Sequence, residues 1–186
     1  MMETFEREWH GESDVDGRVQ ANPSHALGYI PSGVVVVATM TPEGPVGSAS
    51  NSVTPISLDP PLVAFFAADT SPVLAAVRES GRFTVNVLAA DQAGTYDRFR
   101  RGTSAEFDQA GWEPVGQPRL RGAVAVLHCD VLASTPVGGR VVVVGRVRGL
   151  GAVRPGADPL LACRGALHGL AHTPPDHPHY RVSLAL

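Results

Sequence analysis

Gly47-Ser48-Ala49-Ser50-Asn51-Ser52-Val53-Thr54-Pro55-Ile56-Ser57 runs directly into Leu58-Asp59-Pro60-Pro61. A strand so rich in small hydroxyl and amide groups suits a dry core poorly, because its donors and acceptors would be left unpaired there. It either lines a polar ligand or forms a solvent-facing edge. The flanking segments indicate the fold class. Val34 to Thr39 is a β-branched run, and Pro42-Glu43-Gly44 turns it into Val46 to Val53. Leu62 to Ala68 is a continuous apolar run of the kind a buried strand shows.

Working outward, Phe83 to Leu88 reads as a strand. Ala123 to Ala133 and Arg140 to Leu150 read as two long strands joined across Pro136 and Gly138-Gly139. Leu160 to Cys163 and Leu167 to Leu170 suit a last short strand or turn. Three helices are expected. A short one begins at Ser24 and is ended by Pro31. A second has Ser71 as cap, Pro72 at its first position, an apolar face of Val73, Leu74 and Val77, and Gly81 as its stop. A third runs from Asp91, as cap, to about Arg101. A polar stretch punctuated by Gly and Pro then leads to Leu120. Many β-runs, few helices and no regular βαβ alternation predict a mainly β protein, a barrel with helical plugs. Residues 1–23 read as a polar leader, 24–170 as the domain, and 171–186 as a Pro- and His-rich tail.

A chain of 186 residues suits one domain with a real core, and 44% hydrophobic with 18% charged residues is an ordinary globular composition. The net charge of -3 gives no general attraction to nucleic acid or to an anionic membrane. All 15 basic residues are arginine, which excludes a Schiff-base or P-loop lysine and leaves anions to Arg, hydroxyls and backbone N–H groups. The sequence carries no signal-peptide pattern and no apolar run of roughly 20 residues, so a cytoplasmic location is expected. Cys129 and Cys163 sit in apolar contexts and read as core thiols. His168, His172, His177 and His179 crowd one end without any standard metal spacing, so no metal site is expected. No nucleophile elbow, Walker loop, zinc-protease helix, C-x-x-C pair or dinucleotide fingerprint is present.

Tyr29-Ile30-Pro31-Ser32-Gly33-Val34-Val35-Val36-Val37-Ala38-Thr39 resembles the opening "fPTGVxVVT" stretch of the flavin reductase family, whose fold is the FMN-binding split barrel. Gly47 to Pro61 is similar to that family's "GxTxNSFTSVSLDPPL". Phe83-Thr84-Val85-Asn86-Val87-Leu88 is similar to its "FxVNVL", followed by Gln92 and Phe99. Trp112, Gly116, Pro118, Leu120, Cys129, Gly139, Gly145 and Arg164-Gly165 continue the series in order.

The resemblance implies a Greek-key-like six-stranded barrel that binds FMN, with FAD as the alternative, at a homodimer interface. It implies NADH or NADPH as co-substrate and delivery of reduced flavin to a partner monooxygenase. By position, Ser48, Ala49, Ser50, Asn51 and Ser52 would contact the isoalloxazine edge and ribityl chain. Pro55 and Ser57 would shape the loop, and Ser32 would also belong to the flavin site. Phe66, Ala67 and Ala68 would offer backbone groups, and Ser71 would meet the phosphate at a helix start. Arg98, Arg100 and Arg101 are candidates for pairing with phosphate, and Phe99 for packing on the partner's flavin. This chain departs from the family pattern at three places. Ala49 stands where the pattern has Thr, Val53 where it has an aromatic, and Gly138-Gly139-Arg140 where it has "GDH". Arg140 thus replaces a histidine associated with the nicotinamide pocket. That replacement favours one alternative, an FMN-retaining enzyme acting on a secondary metabolite without nicotinamide; a second alternative is a non-catalytic carrier of flavin or haem built on the same barrel.

Overall fold

The computed structural model describes residues 26–100, 106–113 and 116–170. The leader, Ser24, Arg101 and the tail from residue 171 therefore lie outside the described residues. In chain order the strands begin with β1 (Ser32–Gly33), β2 (Val35–Thr41), β3 (Gly44–Ser50), β4 (Thr54–Leu58) and β5 (Pro61–Ala68). Helix α1 (Pro72–Ser80) leads to β6 (Arg82–Val87), and a 3₁₀ turn at Ala90–Gln92 leads to α2 (Ala93–Phe99) and α3 (Glu106–Ala110). Then come β7 (Trp112–Glu113), β8 (Arg119–Leu120), β9 (Ala125–Val137), β10 (Arg140–Val153), β11 (Leu161–Cys163) and β12 (Ala166–His168).

The main sheet has seven antiparallel strands in the order β3-β2-β6-β9-β10-β5-β4. Six were expected. The added strand arises because the polar stretch does not continue as one strand to Val53: pairing with β2 stops at Ser50, and Thr54 begins a new partnership with Ala64 of β5. Residues 51–53 thus carry the chain from one end of the sheet order to the other. A smaller sheet, β1-β11-β12, lies beside it.

β2 explains why its sequence is a continuous apolar run. Val35 and Val37 enter one core, with Phe65, Leu74, Val77, Phe83 and Val143. Val34, Val36 and Ala38 enter a second, with Leu88, Phe99, Phe107 and Leu160. Successive side chains of a strand point to opposite faces, so two buried faces require an unbroken apolar sequence. α1 covers the first core with Val73, Leu74 and Val77, and its ends are as read from sequence. Ser71 Oγ accepts from the Leu74 N–H at 3.4 Å, and Gly81 closes the helix at φ 67°.

α2 is shorter than expected and Asp91 does not cap it. The Asp91 carboxylate is drawn instead to Arg154, with Nη2 at 3.1 Å from Oδ2. The polar stretch before Leu120 contains the short helix α3, which drives Phe107 into the second core. A Cβ on Gly47 would lie 2.8 Å from Phe107 Cζ, so only glycine fits that point of β3. Buried Asn86 ties the strands to the segment that crosses them. Its amide donates to Val36 O at 3.2 Å and to Thr84 Oγ1 at 3.1 Å, and its carbonyl accepts from Leu120 N at 2.8 Å.

Candidate functional site

Among the described residues, β3 has β2 on one side and no strand on the other, while β4 pairs with β5 only from Ala64 toward Pro61. The backbone edge of β5 from Phe65 to Ala68 therefore lacks a strand on its β4 side among the described residues. A cavity of about 490 Å³ lies between these two open edges. Unpaired strand edges present backbone N–H and C=O groups, which can meet the polar rim of a flat heterocycle.

One wall is the polar stretch. Ser48, Ala49, Ser50, Asn51 and Ser52 all line the cavity. Their hydroxyls are not equivalent. Ser52 Oγ donates to Phe66 O at 3.1 Å and accepts from Phe66 N at 3.2 Å. The Ser50 hydroxyl lies 2.9 Å from Ser52 Oγ and fills its remaining acceptor position. Ser52 is thus consumed in bridging the loop to β5, as a one-residue substitute for the missing strand. Ser48 Oγ makes only a long contact of 3.4 Å to Ala49 O. Ser48 therefore keeps hydrogen-bonding capacity directed at the cavity. The Asn51 side chain is exposed and has no hydrogen-bond partner among the described residues.

The opposite wall is Phe66, Ala67 and Ala68 on β5, then Ser71 at the start of α1. Arg140, the first residue of β10, completes the rim. The floor is apolar and was missed by sequence reasoning: Val37, Phe65 and Val73 line the cavity from the first core. Register is the signal that could have found Val37, since it lies directly opposite Ser48.

Several expected residues are placed elsewhere. Ser32 pairs with Ala162 in the small sheet, and Pro55 and Ser57 lie on β4; none of the three lines the cavity. Arg98 donates to Gln109 O at 3.1 Å and is directed to α3. Phe99 is fully buried, edge-to-face with Phe107 at 4.8 Å, so it is a core residue and has no surface to offer a flavin. Arg100 lines a second cavity of about 310 Å³, with Tyr96, Asp97, Cys163 and Arg164. Asn51 borders both cavities. Cys163 is half-buried in this second cavity and is not the core thiol that its sequence context suggested.

Two groups on β9 have shifted ionisation, and neither lines either of these two cavities. Burial and then Asp130 push the Cys129 thiol up to about 12, so it is inert as a thiolate source. Burial and then Arg119 lower the pKa of His128. Among the described residues no group of three or more His, Cys, Asp or Glu could hold a metal ion, and no helix is long and apolar enough to cross a membrane.

Residues 27–171 match the flavin reductase like domain. The chain is 40% identical over 144 residues to the FMN reductase (NADH) SmoA of Agrobacterium fabrum, covering 76% of this chain and 81% of that protein. It is 38% identical over 146 residues to the flavin-dependent monooxygenase reductase subunit HsaB of Rhodococcus jostii, covering 77% and 74%. The Streptomyces globisporus C-1027 NADH:FAD oxidoreductase SgcE6, solved in complex with NAD and FAD fragments, superposes at a TM-score of 0.76 with 28% identity, covering 88% of this chain and 98% of that one. Matched across most of its length in sequence and in fold, this chain belongs to the flavin reductase like family.

Proposed function

We propose that the protein is an NADH-dependent flavin reductase that takes FMN between β3 and β5 and releases it reduced to a partner monooxygenase. The carrying observation is the cavity itself: two open strand edges, a hydroxyl-bearing wall, an apolar floor and one arginine at the rim. Its volume lies within the usual range for small-molecule sites, and a flavin needs this combination of apolar faces and hydrogen-bonding edge. Bound flavin supplies the acceptor for a hydride from nicotinamide, so the protein itself needs little acid–base machinery. Its own residues hold and dry the ring. Val37, Phe65 and Val73 exclude water from below, Ser48 meets a polar edge, and Asn51 stands at the junction with the second cavity.

The same reading includes a homodimer in the cytoplasm. Leu58 and Phe66 on β4 and β5, and Leu132 and Val137 on β9, are exposed apolar side chains that a second copy would cover. Oxidation of NADH at 340 nm by purified protein, with and without FMN, tests the activity. Rapid FMN-dependent oxidation is expected. Retained FMN without any oxidation of NADH or NADPH would reject it in favour of an enzyme that keeps its flavin for another substrate.

A further inference from the structure

We propose that Arg140 is the phosphate anchor of the flavin cavity and makes the protein discriminate FMN from riboflavin. This inference rests on the flavin reading above. Arg140 is the one charged side chain among the described residues lining the cavity. A phosphate dianion leaving water for such a site needs a compensating cation. Arg98 and Arg100, two of the three arginines expected from sequence to supply it, are turned elsewhere, the third, Arg101, lies outside the described residues, and the chain has no lysine.

Arg140 is also available. It makes no ion pair or side-chain hydrogen bond among the described residues. The carboxylate nearest in the register is Asp69, one residue beyond Ala68, which pairs with Arg140 across β5 and β10. Asp69 is engaged by Arg78 at 3.6 Å, and Arg78 is anchored in turn by Ser134 Oγ at 3.1 Å.

The backbone beneath Arg140 is fixed. Gly138 and Gly139 both adopt left-handed φ angles, 54° and 73°, and close the tight turn from β9 into β10. Arg140 is then held between Val137 and Ala68 in the ladder. Across the rim, Ser71 accepts from the Leu74 N–H and keeps its own O–H donor, but a neutral hydroxyl adds no charge to offset the phosphate. The wall from Ser48 to Ser52 carries no formal charge and suits a neutral ring and ribityl chain, while the Arg140 end suits the phosphate of the same molecule. A guanidinium can meet two phosphate oxygens at once, which a histidine cannot do.

The nicotinamide nucleotide carries phosphate as well, so the test separates the two sources. Dissociation constants for FMN and riboflavin are read from quenching of flavin fluorescence, for the parent protein, Arg140→Gln and Arg140→Lys, with thermal melting as a check of folding. The parent should bind FMN at least about tenfold more tightly than riboflavin. Arg140→Gln should bring that ratio close to one, and Arg140→Lys should keep part of it because the charge stays while the fork is lost. A folded Arg140→Gln that binds FMN as tightly as the parent overturns the proposal. So does a variant with unchanged FMN affinity and a raised KM for NADH, because the anchored phosphate would then belong to the nicotinamide nucleotide. A parent protein that shows the FMN preference but never oxidises NADH ends the reductase reading and leaves the Arg140 assignment standing.

Discussion

β2 and β3 are hydrogen-bonded neighbours in continuous register, Val35 opposite Ser50 and Val37 opposite Ser48, yet they carry opposite kinds of sequence. β2 buries both faces, one in each core. β3 buries one: Ala49 packs against the second core and Gly47 admits Phe107, while Ser48 and Ser50 line the cavity. Backbone pairing therefore does not decide which strand packs and which binds. The decision lies in whether each face meets side chains or open space, and among the described residues β3 is the end of the sheet, with a gap beyond it.

The comparison breaks most visibly when β2 is given a β3 residue. Val36 is fully buried, so Val36→Ser should lower stability by about 3 kcal/mol, combining lost apolar burial, a small cavity and an unpaired hydroxyl. The reciprocal change, Ser48→Ala, should alter stability by less than about 0.5 kcal/mol. It should weaken FMN binding by about fivefold, the scale of one lost hydrogen bond. Denaturant midpoints and flavin titrations on the two variants measure both halves. A large stability loss from Ser48→Ala would mean that the polar wall is structural.

Ser71 belongs to both regions, because it caps the helix that covers the first core and also lines the cavity. Ser71→Ala should cost about 1 kcal/mol through the lost cap. Ser71→Asp caps a helix equally well, so it should restore that stability while placing a negative charge near the bound phosphate. FMN affinity should then fall further than riboflavin affinity. If both variants lose stability alike, the serine hydroxyl is not acting as a cap.

Much of this architecture is legible in the residues. The valines of β2 announce a doubly buried strand, and Ser71-Pro72 and Gly81 mark both ends of α1, because these signals are local. The polar stretch from Ser48 to Ser52 is legible as a ligand wall for the same reason: hydroxyls sit where packing would want apolar side chains. What sequence reasoning missed depends on distant partners. Asp91 reads as a helix cap until Arg154 is found beside it. Phe99 reads as a flavin contact until Phe107, from a stretch that looks like loop, encloses it. The boundary after Ser50 is invisible locally, because the residues on both sides of it are polar and extended.

The smallest expected effect separates the regions by pH. The folded pKa of His128 is lowered from its ordinary 6.5, first by burial and then by Arg119. Below about 6.5 the unfolded chain takes up a proton that the folded chain refuses, so stability falls as pH drops from there toward the folded value. Above 6.5 both states are neutral at this site and it contributes no slope. His128→Gln should flatten stability across that window, as measured by denaturant midpoints at a series of pH values. Riboflavin has no phosphate to titrate, and the wall from Ser48 to Ser52 carries no ionisable side chain, so riboflavin affinity should stay level while stability falls. A parallel fall in riboflavin affinity would show that the cavity loosens with the core, and that the packed strand and the binding strand are one mechanical unit.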